Sequence, residues 1–197
     1  MEPFGRHTGK VAVVPGDQVD TDRIIPARFL SRIERSGYGE LLFADIRGPE
    51  FALDLPETAG ASVMIVGTNF GCGSSREHAV WAIQQAGFRV VISRVDSDSP
   101  GFSDIFRQNA ANNGLLLIEL GPSDHAVLAA LNNGAEVTVD LLDNTILVGE
   151  RLIPFRVDEG NRQAILEGRD LIGTTLVFEP QISAYEANTK AFVPSRG

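Results

Sequence analysis

The amino-acid sequence predicts an α/β fold in a single domain over residues 1–197, with a mixed, mostly parallel sheet and flanking helices. First, apolar β-branched runs alternate with helix-like stretches through the middle of the chain, which is typical of parallel strands joined by crossover helices. Second, the chain continues after residue 135 with short strands joined by a tight turn, which adds an antiparallel part. Third, a length of 197 residues fits one domain.

Six apolar runs are predicted as strands and three stretches as helices. The strands are expected at 10–14, 61–66, 89–93, 115–119, 136–141 and 145–148, and the helices at 75–86, 102–112 and 123–132. Asp143 and Asn144 occupy the tight turn between the last two strands. Residues 31–55 have weak periodicity and are predicted to form a surface connection. Residues from about 180 to 197 are predicted as a loosely packed tail.

Composition and charge argue against several kinds of partner. The chain has 43% hydrophobic and 22% charged residues, ordinary values for a globular protein, and a formal net charge of −9. Nucleic acid and anionic membrane surfaces are not expected as partners, because binding to them needs clustered Lys and Arg. No apolar run approaches the roughly 20 residues of a spanning helix, and the first residues lack a signal-peptide layout. A cytoplasmic location is therefore expected.

The most informative segment is a glycine-rich loop, GTNFGCGSSREHA at residues 67–79, between a predicted strand and a predicted helix. Such a loop points backbone N–H groups at one spot and favours anions. Residues 74–77 fit the capping-box pattern, so the helix is expected to start at Ser74 or Ser75. A simple helix start explains that pattern equally well. Arg76, however, opposes the helix dipole in the first turn, which indicates another task, such as gripping a carboxylate.

Other readings of this loop are less favoured. No Lys follows the glycines as in a P-loop, and no dinucleotide fingerprint is present, so a small carboxylate is the expected ligand. Cys72 is the single cysteine, which excludes an internal disulfide and a Cys-based metal site within the chain. A neighbouring helix N-terminus would lower the pKa of Cys72, but no base is positioned for it, so a packing role is predicted. His78 is predicted to cap or pack.

Several segments resemble the family of 3-isopropylmalate dehydratase small subunits, which are two-chain relatives of aconitase. The matching segments are VDTDRIIPARFL at 19–30, NFGCGSSREHA at 69–79, FSDIF at 102–106, IGTTL at 172–176 and AYE at 184–186. The resemblance runs over essentially the whole chain and implies the swivelling β/β/α domain that corresponds to the mobile last domain of aconitase. Three features depart from the family pattern: a longer segment at 94–101, predicted as an exposed loop, Arg107 in place of Tyr, and Glu167 in place of Asn.

The resemblance implies an enzyme subunit. Its family interconverts 2-isopropylmalate and 3-isopropylmalate, which are small hydroxy dicarboxylates, by dehydration and rehydration through isopropylmaleate in leucine biosynthesis. The activity requires a large subunit, in a heterodimer or heterotetramer. A [4Fe–4S] cluster needs three or four thiolates, so the single cysteine of this chain leaves the cluster to the large subunit.

The same resemblance assigns roles to particular residues. Ser74 matches the general base, and Arg76 would bind a substrate carboxylate and stabilise the Ser74 alkoxide. Asp22 would orient a histidine of the partner chain, although residues 20–22 also fit an acidic turn that caps the next element. The remaining candidates for substrate binding are Thr21, Arg28, Leu30, Ile33 and Ser75, with Tyr38 as a further apolar contact.

Two alternatives stay open at this point. A related hydro-lyase acting on citraconate, methylmalate or homoaconitate would share Ser74 and Arg76, because these residues contact only the chemical groups that all of these substrates have in common. A non-catalytic anion-binding module would bind carboxylate or phosphate without a cluster-bearing partner.

Overall fold

The structure, a computed structural model, describes residues 2–31, 34–74 and 76–188 and has the predicted α/β class. The strands are β1 (Arg6–Val13), β2 (Val63–Val66), β3 (Val90–Arg94), β4 (Leu116–Leu120), β5 (Glu136–Asp140), β6 (Thr145–Val148) and β7 (Arg151–Pro154). The helices are α1 (Thr21–Ile24), α2 (Glu77–Gln85), α3 (Asp104–Asn113), α4 (Pro122–Ala129), α5 (Glu159–Glu167), α6 (Leu171–Leu176) and α7 (Glu179–Asn188). All six predicted strands and all three predicted helices are present, whereas β7, α1 and α5–α7 were not foreseen.

The strands form one mixed sheet in the order β4-β3-β2-β1-β5-β6-β7. Three neighbouring pairs, from β4 to β1, are parallel, and three, from β1 to β7, are antiparallel. Strand β1 therefore joins a parallel half to an antiparallel half. Asn144 adopts a left-handed conformation, with φ of 52°, in the predicted tight turn between β5 and β6.

Both faces of the parallel half are buried. Every residue of β2 is inaccessible to solvent, and successive side chains enter opposite clusters: Met64 and Val66 in one, Val63 and Ile65 in the other. Helix α2 packs in the first cluster, and Leu128 of α4 packs in the second. This burial on both sides explains why the strand is a continuous apolar run without polar alternation.

The segment 31–55 is not the surface connection that the sequence predicted. Its short 3-10 turns carry Tyr38, Leu42 and Phe43 into the first core cluster. Tyr38 is only 1% exposed, and its ring lies 5.9 Å from that of Trp81, centroid to centroid. Burial also argues against Tyr38 as a substrate contact. The apolar residues of this segment follow no helical or strand period, which is why their burial was missed.

The C-terminal helices differ from the rest of the chain. Residues 179–188 of α7 are exposed throughout. Large apolar side chains at Leu176, Phe178 and Tyr185 are also more than half exposed. Residues 189–197 lie outside the described residues, so a loosely packed tail stays a prediction. No helix in the described ranges is both long enough and apolar enough to cross a membrane.

The burial of segment 31–55 can be tested by adding one methyl group. A Cβ at Gly39 would lie 2.5 Å from the backbone carbonyl of Gln85 at the end of α2. Since backbone cannot move aside easily, Gly39→Ala is expected to lower the free energy of unfolding by about 1–3 kcal/mol in urea titrations. Gly48→Ala is the matched control in the same segment, because a Cβ there meets nothing within 4 Å. Equal stability of the two variants would contradict this packing.

Candidate active site

The candidate site lies on two loops at the carboxyl ends of the adjacent parallel strands β1 and β2. The backbone N–H of Gln18 donates to the carbonyl of Thr68 at 2.8 Å, and that of Gly71 donates to Val19 at 2.8 Å. The N–H of Thr21 then donates to the carbonyl of Cys72 at 3.0 Å. These bonds continue the parallel pairing beyond the sheet. Side chains that project from the two loops therefore lie side by side, although their residues are distant in sequence.

Glycine is required at one point of the second loop. Gly71 has φ of 74°, and a Cβ there would collide with the ring of Phe106, which is fully buried on α3. Gly73 also has a positive φ, 86°. The backbone of this loop thus has a conformation that residues with a side chain rarely adopt. At Gly71 it also lies too close to α3 for a Cβ atom to fit. Its shape is fixed before the chain reaches Ser74.

Four of the predicted site residues come together where these loops end. The hydroxyl oxygens of Thr21 and Ser74 are 3.3 Å apart, and Thr21 is buried while Ser74 is exposed. Arg76 donates from Nη1 to the carboxylate of Asp22. The Asp22 side chain is 52% exposed and that of Arg76 is 23% exposed. The arrangement offers a hydroxyl pair next to a guanidinium–carboxylate pair, open to solvent on one side.

Helix α2 begins later than the capping pattern predicted. Arg76 occupies the N-cap position with extended backbone angles, φ of −81° and ψ of 131°, and it makes no side-chain capping bond. The helix therefore starts at Glu77, and Ser74 belongs to the loop. The pairing of Cys72 with Thr21 holds this part of the chain in the loop, which overrides the local capping preference.

The acidic turn before α1 has a capping role in addition to its place in the site. The carboxylate of Asp20 accepts a hydrogen bond from the backbone N–H of Arg23 at 2.7 Å and caps α1. Thr21 and Asp22 lie in the first turn that follows. Both interpretations of residues 20–22 are therefore compatible, because different side chains perform the two tasks.

The other predicted substrate contacts are less centrally placed or not described. Arg28 is exposed, donates from Nη1 to Asp45 at 2.8 Å, and lies over the ring of Phe29 at 4.5 Å from its centroid. The hydrogen bond from Arg28 lowers the pKa of the Asp45 carboxyl. Leu30 is half-buried against the first core cluster. Ile33 and Ser75 lie outside the described residues.

Cys72 does not have the lowered pKa that the sequence suggested. Burial raises the pKa of its thiol, and the neighbouring negative charge of Asp20 raises it further. Its Sγ donates to the carbonyl of Gln18 at 3.4 Å. Since α2 begins only at Glu77, its N-terminus lies more than a turn along the chain from Cys72 and does not stabilise a thiolate there. A packing role fits this environment.

His78 has the predicted packing role. Its ring lies 5.4 Å from that of Tyr38 and 4.7 Å from that of Trp81, centroid to centroid. Burial lowers the pKa of the His78 imidazole.

The segment 94–101 was predicted as an exposed insertion, but its ends bind the site. The backbone N–H groups of Asn69 and Phe70 donate to the carbonyls of Pro100 and Gly101 at 2.7 and 2.9 Å. Sequence reasoning missed this contact, although the order of the parallel strands would have indicated it: β3 is the neighbour of β2, so their carboxyl ends meet at one edge.

The other two departures from the family pattern form ion pairs: Arg107 with Glu119, and Glu167 with Arg169.

The donor groups of this chain do not fit a metal cluster. Within residues 2–31, 34–74 and 76–188, no group of three or more His, Cys, Asp or Glu side chains is placed to hold a metal ion. The single cysteine of the sequence cannot supply the thiolates of an iron–sulfur cluster. The chemistry available at the site is therefore that of hydroxyls, a guanidinium and a carboxylate.

Comparison with known proteins gives consistent results. The aconitase C-terminal domain family matches residues 1–123. A protein of Kocuria rhizophila named "3-isopropylmalate dehydratase small subunit" is 45% identical over 99% of this chain and 97% of its own length. A protein of the same name from Geobacillus kaustophilus is 44% identical over 94% of this chain and 96% of its own length.

A solved structure agrees with these relatives. The crystal structure of a 3-isopropylmalate dehydratase from Methanocaldococcus jannaschii superposes with a TM-score of 0.66 at 30% identity, covering 92% of this chain and 99% of that one. The predicted swivel-domain fold is thereby confirmed. Identities of 44% and 45% over nearly the whole chain and a matching fold lead to one conclusion: the chain belongs to the family of 3-isopropylmalate dehydratase small subunits, built on the aconitase C-terminal domain.

Proposed function

We propose that this chain is the small subunit of a two-chain hydro-lyase that interconverts 2-isopropylmalate and 3-isopropylmalate through isopropylmaleate in leucine biosynthesis. The observation that carries the proposal is the convergence of Thr21, Asp22, Ser74 and Arg76 at one edge of the sheet, in a chain of this family. Dehydration needs a base for a carbon-bound proton, an acid for the leaving hydroxyl and cations for the carboxylates. In this proposal, the chain supplies the base and the cations for the carboxylates.

Ser74 is the proposed general base. A serine hydroxyl has a pKa far above neutrality, so its alkoxide must be stabilised by nearby donors. The hydroxyl of Thr21, 3.3 Å away, can donate to Ser74 Oγ, and Arg76, two positions along the chain, adds a positive charge to the site. Helix α2 starts three residues after Ser74, so its dipole contributes less than the sequence suggested. The stabilisation consequently falls mainly to Thr21 and Arg76.

Arg76 is the proposed carboxylate clamp. In the free chain it is held by Asp22, so a substrate carboxylate must take the place of the Asp22 carboxylate on the guanidinium. The guanidinium has a carboxylate partner before and after this exchange, and a substrate carboxylate that accepts two parallel bonds would hold it more strongly than the one bond to Asp22. Once released, Asp22 is free to orient a histidine of the large subunit. Arg28, paired with Asp45, is a candidate for the second carboxylate.

The remaining chemistry is assigned to the partner. A [4Fe–4S] cluster on the large subunit would act as the Lewis acid that withdraws the leaving hydroxyl. The exposed side of Ser74 and Asp22 is the side from which that subunit would complete the site. A heterodimer or heterotetramer in the cytoplasm is the corresponding assembly.

The first test is anaerobic reconstitution with the large subunit of the same organism. Formation of isopropylmaleate from 3-isopropylmalate is followed by ultraviolet absorbance, with each subunit alone as the control. Turnover that requires both chains supports the proposal. A complex with an intact cluster that turns over only citraconate, methylmalate or homoaconitate would move the assignment to a sister hydro-lyase, and failure to associate would favour the anion-binding module.

Ser74→Ala is expected to lower turnover of the reconstituted enzyme by about 10²–10⁴-fold, the usual contribution of a general base. The cluster absorbance of the complex should be unchanged, since Ser74 holds no metal. Ser183→Ala, which removes an exposed hydroxyl on α7, serves as the control and should leave turnover near the wild-type value. Near-normal turnover of Ser74→Ala would rule out its role as the base.

Thr21→Val removes the hydroxyl that faces Ser74 while keeping the buried side-chain volume. It is expected to lower kcat by about 10–100-fold, because the Ser74 alkoxide loses one donor. Thr21→Ser restores a hydroxyl on the same backbone and should recover most of that loss. Stopped assays at saturating substrate measure kcat, and equal activity of the Val and Ser variants would contradict the role of the hydroxyl.

Arg76→Lys keeps the positive charge but loses the planar fork that holds a carboxylate with two bonds. We expect kcat/KM to fall by about 30-fold, equivalent to about 2 kcal/mol of transition-state binding. Arg47→Lys is the matched control, because Arg47 is also paired with an aspartate, Asp54. Unchanged kinetics of Arg76→Lys would show that the guanidinium is not a clamp.

A further inference from the structure

We propose that Arg94 and Asp17 are positioning residues that hold the site loops together and thereby set where Ser74 stands. This inference rests on the proposed function for the role of Ser74. Neither residue belongs to the motifs from which the site was predicted. They lie at the ends of different parallel strands, Asp17 after β1 and Arg94 at the last position of β3.

The Asp17 carboxylate joins two loops through its two oxygen atoms. Its Oδ1 accepts the backbone N–H of Thr68 at 2.8 Å, in the loop after β2. Its Oδ2 accepts a hydrogen bond from Nη2 of Arg94, with 3.1 Å between the two atoms. A Cβ at Gly67 would collide with this carboxylate, so the chain after β2 approaches it as closely as backbone can. The hydrogen bond from Thr68 lowers the pKa of Asp17, and Arg94 lowers it further.

Arg94 extends the connection to the third loop. Its Nε lies 3.1 Å from both carboxylate oxygens of Asp96, while Nη2 remains on Asp17. The planar fork of a guanidinium can hold both carboxylates in a fixed geometry, which a single ammonium cannot. One arginine thus links the loops that follow β1 and β3, and Asp17 links both to the loop after β2. This cluster of Asp17, Arg94 and Asp96 is called the loop clamp below.

The backbone beside the loop clamp needs such support. Gln18 and Asn69 adopt left-handed conformations, with φ of 54° and 51°, and each is adjacent to one end of the bond between Asp17 and Thr68. Such a conformation is unfavourable for Gln18 and less so for an asparagine such as Asn69, so the surroundings must hold Gln18 in particular. From Gln18 and Asn69, the paired loops run on to Thr21 and Ser74. A shift at the clamp is therefore passed along paired backbone to the two hydroxyls.

The loop clamp affects geometry more than global stability. The side chains of Arg94 and Asp17 are 32% and 48% exposed, and ion pairs with such exposure contribute little to the free energy of unfolding. A displacement of about 1 Å at a reacting group, in contrast, can lower a rate by about 100-fold. Loss of the clamp should thus leave the protein folded and impair turnover.

Cys72 provides a direct measurement of this coupling. It is the only thiol in the chain, and it lies in the paired part of the loop, where its carbonyl accepts the N–H of Thr21. In the isolated subunit we expect Arg94→Gln to accelerate modification of Cys72 by dithiobis(nitrobenzoate) by about threefold or more, because the loops separate more often. This readout requires neither the large subunit nor the proposed activity.

Arg47→Gln is the matched control. Arg47 pairs with Asp54, its side chain is 35% exposed, and it lines a surface cavity with Gln85 at the end of α2, away from the carboxyl edge of the strands. It should leave Cys72 reactivity, turnover and the thermal midpoint close to the wild-type values. Equal acceleration in Arg47→Gln and Arg94→Gln would overturn the proposal, since any lost ion pair would then have the same effect.

Kinetics of the reconstituted enzyme complete the test. We expect Arg94→Gln to lower kcat by about tenfold or more with KM changed by less than about threefold, and Arg94→Lys to recover part of the loss. In the Ser74→Ala background, Arg94→Gln should change the residual turnover by less than about twofold, since residues that act as a unit are not additive. A full additional loss in that background would overturn the proposal.

Two further outcomes separate the possible failures. Wild-type kcat and Cys72 reactivity in Arg94→Gln, with Ser74→Ala inactive, would overturn the role of the clamp and leave the proposed function standing. If Arg94→Gln accelerates Cys72 modification in the isolated subunit but the wild-type complex shows no turnover, the result would instead count against the proposed function and leave the clamp standing. If Arg94→Gln fails to fold, Asp17→Asn replaces it, because the amide oxygen can still accept the Thr68 N–H while Arg94 loses one of its two carboxylate partners and keeps Asp96. Wild-type behaviour of Asp17→Asn would overturn the proposal.

Discussion

Parallel pairing between loops, continued past the ends of β1 and β2, is the constraint on which the rest of the site depends. Backbone bonds between residues 18–21 and 68–72 bring Thr21 and Ser74 within contact although 53 positions separate them in sequence. The pairing uses main-chain groups, so it requires little from the site side chains themselves. It does require glycine at position 71, where the loop lies against Phe106. Site geometry and core packing are thus determined by the same few residues.

The charges of the site are paired before any substrate arrives. Arg76 is held by Asp22 and Arg28 by Asp45. Because these pairs are at least partly exposed, they contribute little to stability, and water or another anion can replace the carboxylate. A dicarboxylate that replaces Asp22 finds a guanidinium already oriented. Under the proposed function, pairing within the chain pre-organises the cation without blocking its use, which suits a chain with a net charge of −9 whose substrate is an anion.

The sequence predicted those features of the fold that depend on local pattern. Strands such as β2 appear as apolar runs because both of their faces are buried. Sequence reasoning was wrong or incomplete where tertiary contacts determine the local structure. The capping pattern at 74–77 placed the start of α2 too early, because the preceding loop pairs with residues 19–21 and Arg76 has extended backbone angles at the N-cap. The burial of Tyr38 depends on irregular turns without a period, and the contacts of Pro100 become evident only from the strand order. Ser74, Arg76, Thr21 and Asp22 were predicted from the family resemblance; the structure brings their side chains together, and their roles stay a prediction.

The late start of α2 changes how a serine could act as a base here. If Ser74 capped the helix, backbone N–H groups of the first turn would surround its oxygen, and the alkoxide would be stabilised within this chain alone. With the helix beginning at Glu77, the Thr21 hydroxyl, which can donate or accept, lies 3.3 Å from Ser74 Oγ, and Ser74 is exposed to solvent. An alkoxide in that setting is poorly stabilised until water is excluded, because hydrogen bonds and charges act more strongly in a dry site. Under the proposed function, closure of the large subunit over this edge would therefore supply more than the cluster. It would also make Ser74 basic enough to act, which explains why a chain that carries the base would be inactive on its own.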